Sequence, residues 1–96
     1  MKESRPVALV TGSSRGVGAA TVKLLAQKGY HVVINYSKSE AEARGVEADC
    51  RALGAETLLC RASVADDNDC RRMVRETMDK WGRIDALVNN AATTKF

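Results

Sequence analysis

Long apolar runs, aromatic side chains and clustered charges are all scarce in this sequence. No apolar stretch is long enough to span a membrane, and the first one, after Arg5-Pro6, is too short for a secretory leader. We therefore expect a cytoplasmic protein with no membrane partner. The 15 basic and 12 acidic residues are scattered, and only one Trp, two Tyr and one Phe are present. This pattern argues against a nucleic-acid partner despite the net charge of +3.

Cysteine is also sparse, and its spacing matches no metal or redox motif. Cys50, Cys60 and Cys70 lie ten residues apart, and an odd number does not favour a disulfide framework. We predict reduced, partly buried thiols. The aspartates between positions 66 and 69 stand where a helix cap and first turn favour carboxylates, so we predict no metal site.

What is present is a regular alternation of short apolar segments and amphipathic ones. The composition, 45% hydrophobic and 28% charged, is typical of a globular domain, and the length allows one domain. Runs rich in Val, Ile and Leu predict four strands, and three-four apolar spacing between them predicts three helices. The predicted strands are Pro6–Thr11, His31–Tyr36, Glu56–Arg61 and Ile84–Val88. The predicted helices are Gly16–Lys28, one capped by Ser39 and stopped by Gly54, and one capped by Asp66 and closed by Gly82.

The apolar spacing also predicts which helix faces are buried. In the first helix it favours Val17, Ala20, Thr21, Leu24 and Leu25. In the second it favours Ala43, Val46, Cys50 and Leu53, and in the third Cys70, Met73, Val74, Thr77, Met78 and Trp81. The single histidine, His31, begins a strand with no nucleophile beside it in the pattern, so we predict a structural role for it.

This order, βαβαβαβ, predicts an α/β fold with a parallel sheet covered by helices. Right-handed crossovers favour the strand order 3-2-1-4, the doubly wound Rossmann-like arrangement. The order reverses between strands 1 and 4. Ligands of open α/β sheets bind beyond the carboxyl ends of the strands at such a point, and the segments after strands 1 and 4 both reach it.

The segment after the first strand is the strongest functional signal. Thr11-Gly12-Ser13-Ser14-Arg15-Gly16-Val17-Gly18 joins an apolar strand to a helix. A helix N-terminus offers free N–H groups and the positive end of a dipole, and glycines let the backbone approach phosphates closely. The segment therefore predicts a site for a nucleotide pyrophosphate.

Two motifs together resemble the short-chain dehydrogenase/reductase family. That family carries Thr-Gly-x-x-x-Gly-x-Gly after strand 1, matched in full by residues 11–18, and Asn-Asn-Ala-Gly after strand 4. Asn89-Asn90-Ala91 matches the second motif, with Ala92 in place of its glycine. The resemblance covers the whole chain, and among members it is closest in look to reductases of the 3-oxoacyl-acyl-carrier-protein type.

The resemblance implies a role for each matching position. The pyrophosphate and adjoining ribose would be held by Gly12, Ser13, Ser14, Arg15, Gly16, Val17 and Gly18. Ser63 and Val64, after strand 3, would meet the adenine, although many members carry aspartate where Ser63 stands. Asn90 would contact a ribose through its backbone, with Ala91 and Ala92 beside it, and Asn89 would tie the sheet together.

The end of the second strand favours NADP(H) over NAD(H). NAD-specific folds of this kind place a carboxylate there, whereas this chain reads Ile34-Asn35-Tyr36-Ser37-Lys38 and has no carboxylate before Glu40. Arg15 and Lys38 could instead face the 2′-phosphate, with Ser37 donating a hydrogen bond. We therefore predict Arg15, Ser37 and Lys38 as the residues that select the cofactor.

The resemblance implies an oxidoreductase that transfers a hydride between nicotinamide and a carbonyl or alcohol, often as a homo-oligomer. Its catalytic tyrosine, lysine and serine follow the Asn-Asn-Ala-Gly motif, so none is assigned within residues 1–96, and these residues alone are expected to be inactive. We expect residues 1–96 to be the N-terminal dinucleotide-binding part of one Rossmann-like domain, truncated after strand 4. The alternative is a non-catalytic nucleotide-binding or assembly module complete at 96 residues.

Overall fold

The computed structural model describes residues 5–90 and shows four strands alternating with three helices. The strands are β1 (Val7–Val10), β2 (His31–Tyr36), β3 (Thr57–Arg61) and β4 (Ala86–Val88). The helices are α1 (Gly16–Gln27), α2 (Glu40–Ala52) and α3 (Asp67–Trp81). The predicted elements and their order are therefore confirmed. Strands β1, β3 and β4 are each one or two residues shorter than predicted.

All strand pairs in the sheet are parallel, and the order is β3-β2-β1-β4 as predicted. Every residue of β1 and β2 is buried, which explains why these strands are mainly apolar rather than alternating, with His31 and Asn35 as the polar exceptions in β2. β4 is only partly buried and lies at one edge of the sheet. The strand order reverses between β1 and β4. The carboxyl ends of these two strands therefore lie together beside residues 11–15, which we call the glycine-rich loop.

The helices cover both faces of the sheet. α1 and α2 pack on one face around Ala8, Val10, Val32 and Ile34. α3 packs on the other face of the sheet. Its Met73 and Trp81 belong to a second apolar cluster, which includes the strand residues that point to this face, among them Val7, Leu9 and Val33. Within residues 5–90, no helix is both long enough and apolar enough to cross a membrane.

The predicted inner face of α1 is wrong for Val17, Ala20 and Leu24, whereas Leu25 is partly buried and packs against the core as predicted. Val17 is 72% exposed and Leu24 is 51% exposed, while the buried residues of the helix are Gly18, Ala19, Val22 and Ala26. Gly18, Val22 and Ala26 form an i, i+4, i+8 stripe with Ala19 beside it, and the small side chains of this stripe allow the helix to lie close to the sheet. The apolar spacing had favoured the neighbouring face of the helix, which carries the larger side chains and is exposed at Val17, Ala20 and Leu24.

The other two helices follow the prediction in part. In α2, Ala43, Val46 and Cys50 are buried as predicted, but Leu53 follows the last turn and is exposed. In α3, the buried stripe is Met73, Thr77 and Trp81. Val74 and Met78 flank that stripe and are exposed, and Cys70 is half-buried, so the apolar face of α3 is wider than the surface that it buries.

Side chains cap α2 and α3 at the predicted positions. The Ser39 hydroxyl accepts a hydrogen bond from the Glu42 backbone N–H, and the Asp66 carboxylate accepts from the N–H groups of Asn68 and Asp69. Gly82 follows α3 with φ +74°, in the left-handed conformation that a helix C-terminus favours for glycine. These caps fix where the loops that follow β2 and β3 must end.

A polar cluster closes the amino-end edge of the sheet. His31 is buried at the start of β2, and its Nδ1 accepts a hydrogen bond from the backbone N–H of Glu56 at 3.0 Å. Trp81 stacks on the imidazole with ring centroids 5.7 Å apart, and its indole N–H donates to the Glu56 carboxylate. The structure therefore places His31 in a packing and hydrogen-bonding role, at the opposite edge from the strand ends.

The three cysteines are free thiols. Burial is the main cause that raises the pKa of Cys50 to about 11 and that of Cys60 to about 12, where the hydrogen bond to Glu76 adds to it. Both thiols are therefore protonated at neutral pH and are poor nucleophiles.

Asp85 connects the entry to β4 with the start of β1. Its carboxylate accepts a hydrogen bond from the Val7 N–H at 2.8 Å and two from the Arg83 guanidinium. The Arg83 hydrogen bonds, followed by that from Val7, hold the pKa of Asp85 below its ordinary value of 3.8. The ionised form of Asp85 is therefore the one that stabilises the fold.

This arrangement predicts a pH-dependent stability. A carboxylate whose pKa is depressed on folding contributes fully above its unfolded pKa, about 4, and its contribution is lost as the pH falls through the folded value. We expect Asp85→Asn to lower the free energy of unfolding most at neutral pH and progressively less below about pH 4. Urea titrations over this pH range would measure it, with Asp79→Asn on the exposed side of α3 as the charge control. A difference between wild type and Asp85→Asn that does not change with pH would contradict it.

Candidate cofactor-binding site

The glycine-rich loop leads from β1 directly into α1. Gly12 and Gly16 have φ near +61° and +62°, a conformation that side chains with a Cβ rarely adopt. Arg15 is the N-cap of α1, yet its side chain makes no capping hydrogen bond, and the first turn contains no acidic residue. The first N–H groups of the helix therefore have neither an intrahelical acceptor nor a nearby side-chain anion from that turn.

Gly18 lies where the first turn of α1 touches the loop. A Cβ at this position would stand 2.1 Å from the Gly12 carbonyl oxygen and 2.7 Å from the Asn90 side-chain nitrogen. At Gly16, by contrast, a Cβ would meet no atom within 4 Å. The two glycines therefore have different roles. Gly18 allows the loop, α1 and the end of β4 to pack together, whereas Gly16 leaves open space at the N-terminus of the helix.

Asn35 holds the loop in place, a role that sequence analysis missed. Its side chain is 2% exposed, and its amide oxygen accepts a hydrogen bond from the Gly12 N–H at 2.8 Å. Its amide nitrogen donates to the carbonyls of Ala62 and Cys60, at 3.1 and 3.3 Å. One buried side chain on β2 therefore joins the loops that follow β1 and β3. The available signal was a lone amide within an apolar strand, which must find partners if it is buried.

Ser13 is fully buried and bonded to the same strand. Its hydroxyl donates to the Val10 carbonyl at 2.8 Å and accepts from the Asn35 N–H at 2.9 Å, while its own N–H donates to the Asn35 carbonyl. The hydroxyl therefore shapes the loop from inside. Of the loop residues predicted to hold a cofactor, Gly12, Ser14 and Arg15 line an open cleft.

This cleft, of about 480 Å³, lies between the glycine-rich loop and the start of α2. Ser37 and Lys38, which follow β2, line it together with Arg15, as the prediction for a 2′-phosphate requires. The loops after two neighbouring parallel strands end at the same edge of the sheet, which is why residues more than twenty positions apart meet here. We call it the Arg15 cleft; its full lining is Gly12, Ser14, Arg15, Tyr36, Ser37, Lys38, Ser39 and Glu42.

Glu42 is the second feature that sequence analysis missed. Its carboxylate approaches the Arg15 guanidinium to 3.9 Å, and it is the only carboxylate among the described residues that line the Arg15 cleft. The prediction from sequence considered only carboxylates at the end of β2, before Glu40. Glu42 lies in the first turn of α2, where its N–H donates to the Ser39 hydroxyl, and both residues line the cleft, so the start of this helix rather than the end of β2 supplies the carboxylate.

A neighbouring cleft of about 340 Å³ continues from Ser37 to the segment after β3. Ser63 lines it, and its backbone N–H donates to the Asp69 carboxylate at 2.9 Å. Val64 is half-buried and does not line this cleft; its carbonyl accepts from the Cys70 thiol. The structure therefore brings Ser63 to the same side of the molecule as the Arg15 cleft but directs Val64 towards α3.

The end of β4 packs against the glycine-rich loop, as the strand order predicts. The Thr11 hydroxyl donates to the Asn89 side-chain oxygen at 3.1 Å, and the Thr11 N–H donates to the Val88 carbonyl. The Asn90 side chain donates to the Gly12 carbonyl at 3.4 Å. Asn89 thus joins β4 to β1, while Ala91 and Ala92 lie outside the described residues.

These features together fit a dinucleotide. The open space before Gly16 can admit a pyrophosphate against backbone N–H groups, and two cations line the cleft beside it. The model for the short chain dehydrogenase family matches residues 6–96. The chain belongs to this family.

Members of this family are similar to the chain in sequence and in fold. A 3-oxoacyl-[acyl-carrier-protein] reductase from Synechocystis sp. is 46% identical over 93% of the chain. A Serratia marcescens short-chain dehydrogenase/reductase is 39% identical, with a TM-score of 0.88 over 92% of the chain. A Burkholderia cenocepacia short chain dehydrogenase, solved in complex with NADP, is 42% identical, with a TM-score of 0.89 over 94% of the chain. The chain spans 36%, 36% and 37% of these three proteins, respectively.

Proposed function

We propose that this chain is the NADP(H)-binding portion of an oxidoreductase that transfers a hydride between nicotinamide and a carbonyl or alcohol substrate. The nicotinamide supplies the hydride chemistry when it is bound, and the residues described above bind and orient it. Residues 1–96 form the dinucleotide-binding part of a Rossmann-like domain in this proposal. A 3-oxoacyl thioester is the proposed substrate class, since the curated relatives carry that name.

One observation carries the choice of cofactor: Arg15 and Lys38 come from separate loops and line a single cleft. The Arg15 side chain makes no capping hydrogen bond and is 80% exposed, and its one described ion pair, to Glu42, is long at 3.9 Å, so its guanidinium can be reached by a phosphate. Asn35, near the end of β2, is buried and its amide oxygen accepts from the Gly12 N–H, and the residues that follow it into the cleft, Tyr36, Ser37 and Lys38, include no carboxylate. The cleft therefore lacks the strand-end carboxylate that an NAD-specific site uses and has the cations that a 2′-phosphate needs.

The remaining predicted contacts belong to the same proposal. Gly12, Ser14, Gly16, Val17 and Gly18 would hold the pyrophosphate, with Ser13 supporting them from inside. Ser63 and Val64 would lie on the adenine side, and Asn90 with Ala91 and Ala92 on the ribose side. Within residues 1–96 no tyrosine is followed four positions later by lysine, so we expect this chain to bind cofactor without turning over substrate.

The cofactor proposal is tested by an Arg15→Ala variant of this chain. A charge-assisted hydrogen bond to phosphate is worth about 1.5–3 kcal/mol, so we expect NADPH to bind about tenfold or more weakly. NADH lacks the 2′-phosphate and should change by less than about twofold. Nucleotide fluorescence titrations measure both dissociation constants.

Lys28→Ala is the matched control, because it removes one positive charge at the far end of α1. It should leave the ratio of the two affinities unchanged. Tighter binding of NADH than NADPH, or an affinity ratio that Arg15→Ala does not alter, would overturn the choice of cofactor.

A further inference from the structure

The Arg15 cleft contains a charge that opposes the ligand proposed for it. Arg15 and Lys38 would attract a 2′-phosphate, which carries close to two negative charges at neutral pH. Glu42 lines the same cleft and faces Arg15, with 3.9 Å between Nη1 and Oε1. A phosphate that bound Arg15 would therefore have to displace this carboxylate and then remain near it.

The Arg15–Glu42 contact is built to be exchanged. The side chains are 80% and 46% exposed, and neither has another hydrogen bond or ion pair among the described contacts. Exposed ion pairs contribute little to stability, so the contact can open readily. The Glu42 N–H donates to the capping Ser39 hydroxyl, which holds the backbone of Glu42 beside the cleft, so opening the pair leaves this residue in the cleft lining.

Resting on the proposed function, we propose that Glu42 is a specificity-determining residue that restrains the preference for the 2′-phosphate. It holds Arg15 in the free chain and competes with the phosphate for that guanidinium. The cofactor lacking the 2′-phosphate does not compete for Arg15 and is indifferent to Glu42. The preference of the cleft is therefore set by three charges, of which only the two cations were evident from the sequence.

The test is Glu42→Gln, which removes the charge and keeps the side-chain size and the capping N–H. Exposed pairs change an equilibrium by up to about fivefold, so we expect NADP⁺ to bind about three- to fivefold more tightly. NAD⁺ should change by less than about twofold. Isothermal titration calorimetry on this chain measures both dissociation constants. The gain in NADP⁺ affinity should shrink at high salt because the charges are exposed.

Glu40→Gln is the matched control. Glu40 lies on the same helical turn, pairs with Arg44, and does not line the Arg15 cleft. It should leave both affinities unchanged to within about twofold. In an Arg15→Ala background, the gain from Glu42→Gln should fall to less than half of its value, because no guanidinium remains to be released.

Each other outcome has a defined meaning. If Glu42→Gln and Glu40→Gln changed the NADP⁺ affinity equally, the proposed role of Glu42 would be wrong. It would also be wrong if Glu42→Gln bound NADP⁺ more weakly than wild type, because Glu42 would then position Arg15 for the phosphate. If wild type bound NADP⁺ and NAD⁺ while Glu42→Gln changed nothing, the proposed function would stand without this inference. If wild type bound neither, both would fail.

Discussion

A Gly18→Ala variant should lose most of its affinity for nicotinamide nucleotides, by about tenfold or more. The added Cβ would lie 2.1 Å from the Gly12 carbonyl oxygen and 2.8 Å from the Gly12 carbonyl carbon. Both are backbone atoms, so no side-chain rotation relieves the overlap, and either the loop or α1 must move. Overpacking of this kind typically costs about 1–3 kcal/mol in stability.

Gly45→Ala provides the control for this prediction. The same methyl group is added inside α2, where it would meet no atom within 4 Å. Because alanine is the better helix former, the free energy of unfolding should rise by about 0.5–1 kcal/mol with nucleotide binding unchanged. The two variants should therefore shift thermal unfolding in opposite directions, and only Gly18→Ala should weaken NADPH binding. Similar behaviour of the two would show that Gly18 is not a close-approach position.

The second large effect is expected for Asn35→Leu. This change keeps most of the buried volume but leaves the Gly12 N–H and the Ala62 and Cys60 carbonyls without their partner. Each buried polar group left unpaired costs about 1–3 kcal/mol, so the total loss should reach about 3 kcal/mol or more. Urea denaturation gives the change in the free energy of unfolding.

A second substitution at Asn35 separates the two ends of its amide. Asn35→Asp keeps an oxygen for the Gly12 N–H but loses the donor to both carbonyls and buries a carboxylate. It should be destabilised as well, and it should not gain NADH affinity, because this side chain is buried below the loop rather than lining the cleft. Asn68→Ala, on the exposed first turn of α3, should change stability by less than about 0.5 kcal/mol. A stable Asn35→Leu variant would contradict the role of Asn35 in holding the loop.

The sequence was sufficient for the architecture, because strand order follows from local features. Two strands, His31–Tyr36 and Val7–Val10, contain runs of consecutive apolar residues, and that pattern belongs to parallel strands buried on both faces. The handedness of the crossovers then leaves few arrangements. The position of the cleft followed from the same reasoning, since parallel strands end at one edge.

The inner face of α1 could not be predicted in the same way. Val17 and Leu24 are more hydrophobic than Gly18 and Ala19, yet the smaller residues are buried. How closely a helix approaches a sheet depends on residues distant in the chain, here the carbonyl of Gly12 and the amide of Asn90. Glu42 was missed for a related reason: its place in the cleft depends on how α2 is oriented, which the spacing of residues does not specify.

The stacking of Trp81 on His31 has a practical consequence. Trp81 is the sole tryptophan of the chain, and it lies at the amino-end edge of the sheet, with the length of β2 between its stacking partner and the loop that bears Lys38. Its emission therefore monitors whether α3 is docked, and substitutions of Arg15, Glu42 or Gly18 leave the surroundings of the indole intact. A single intrinsic chromophore can thus separate variants that have lost their fold from variants that have lost only their ligand.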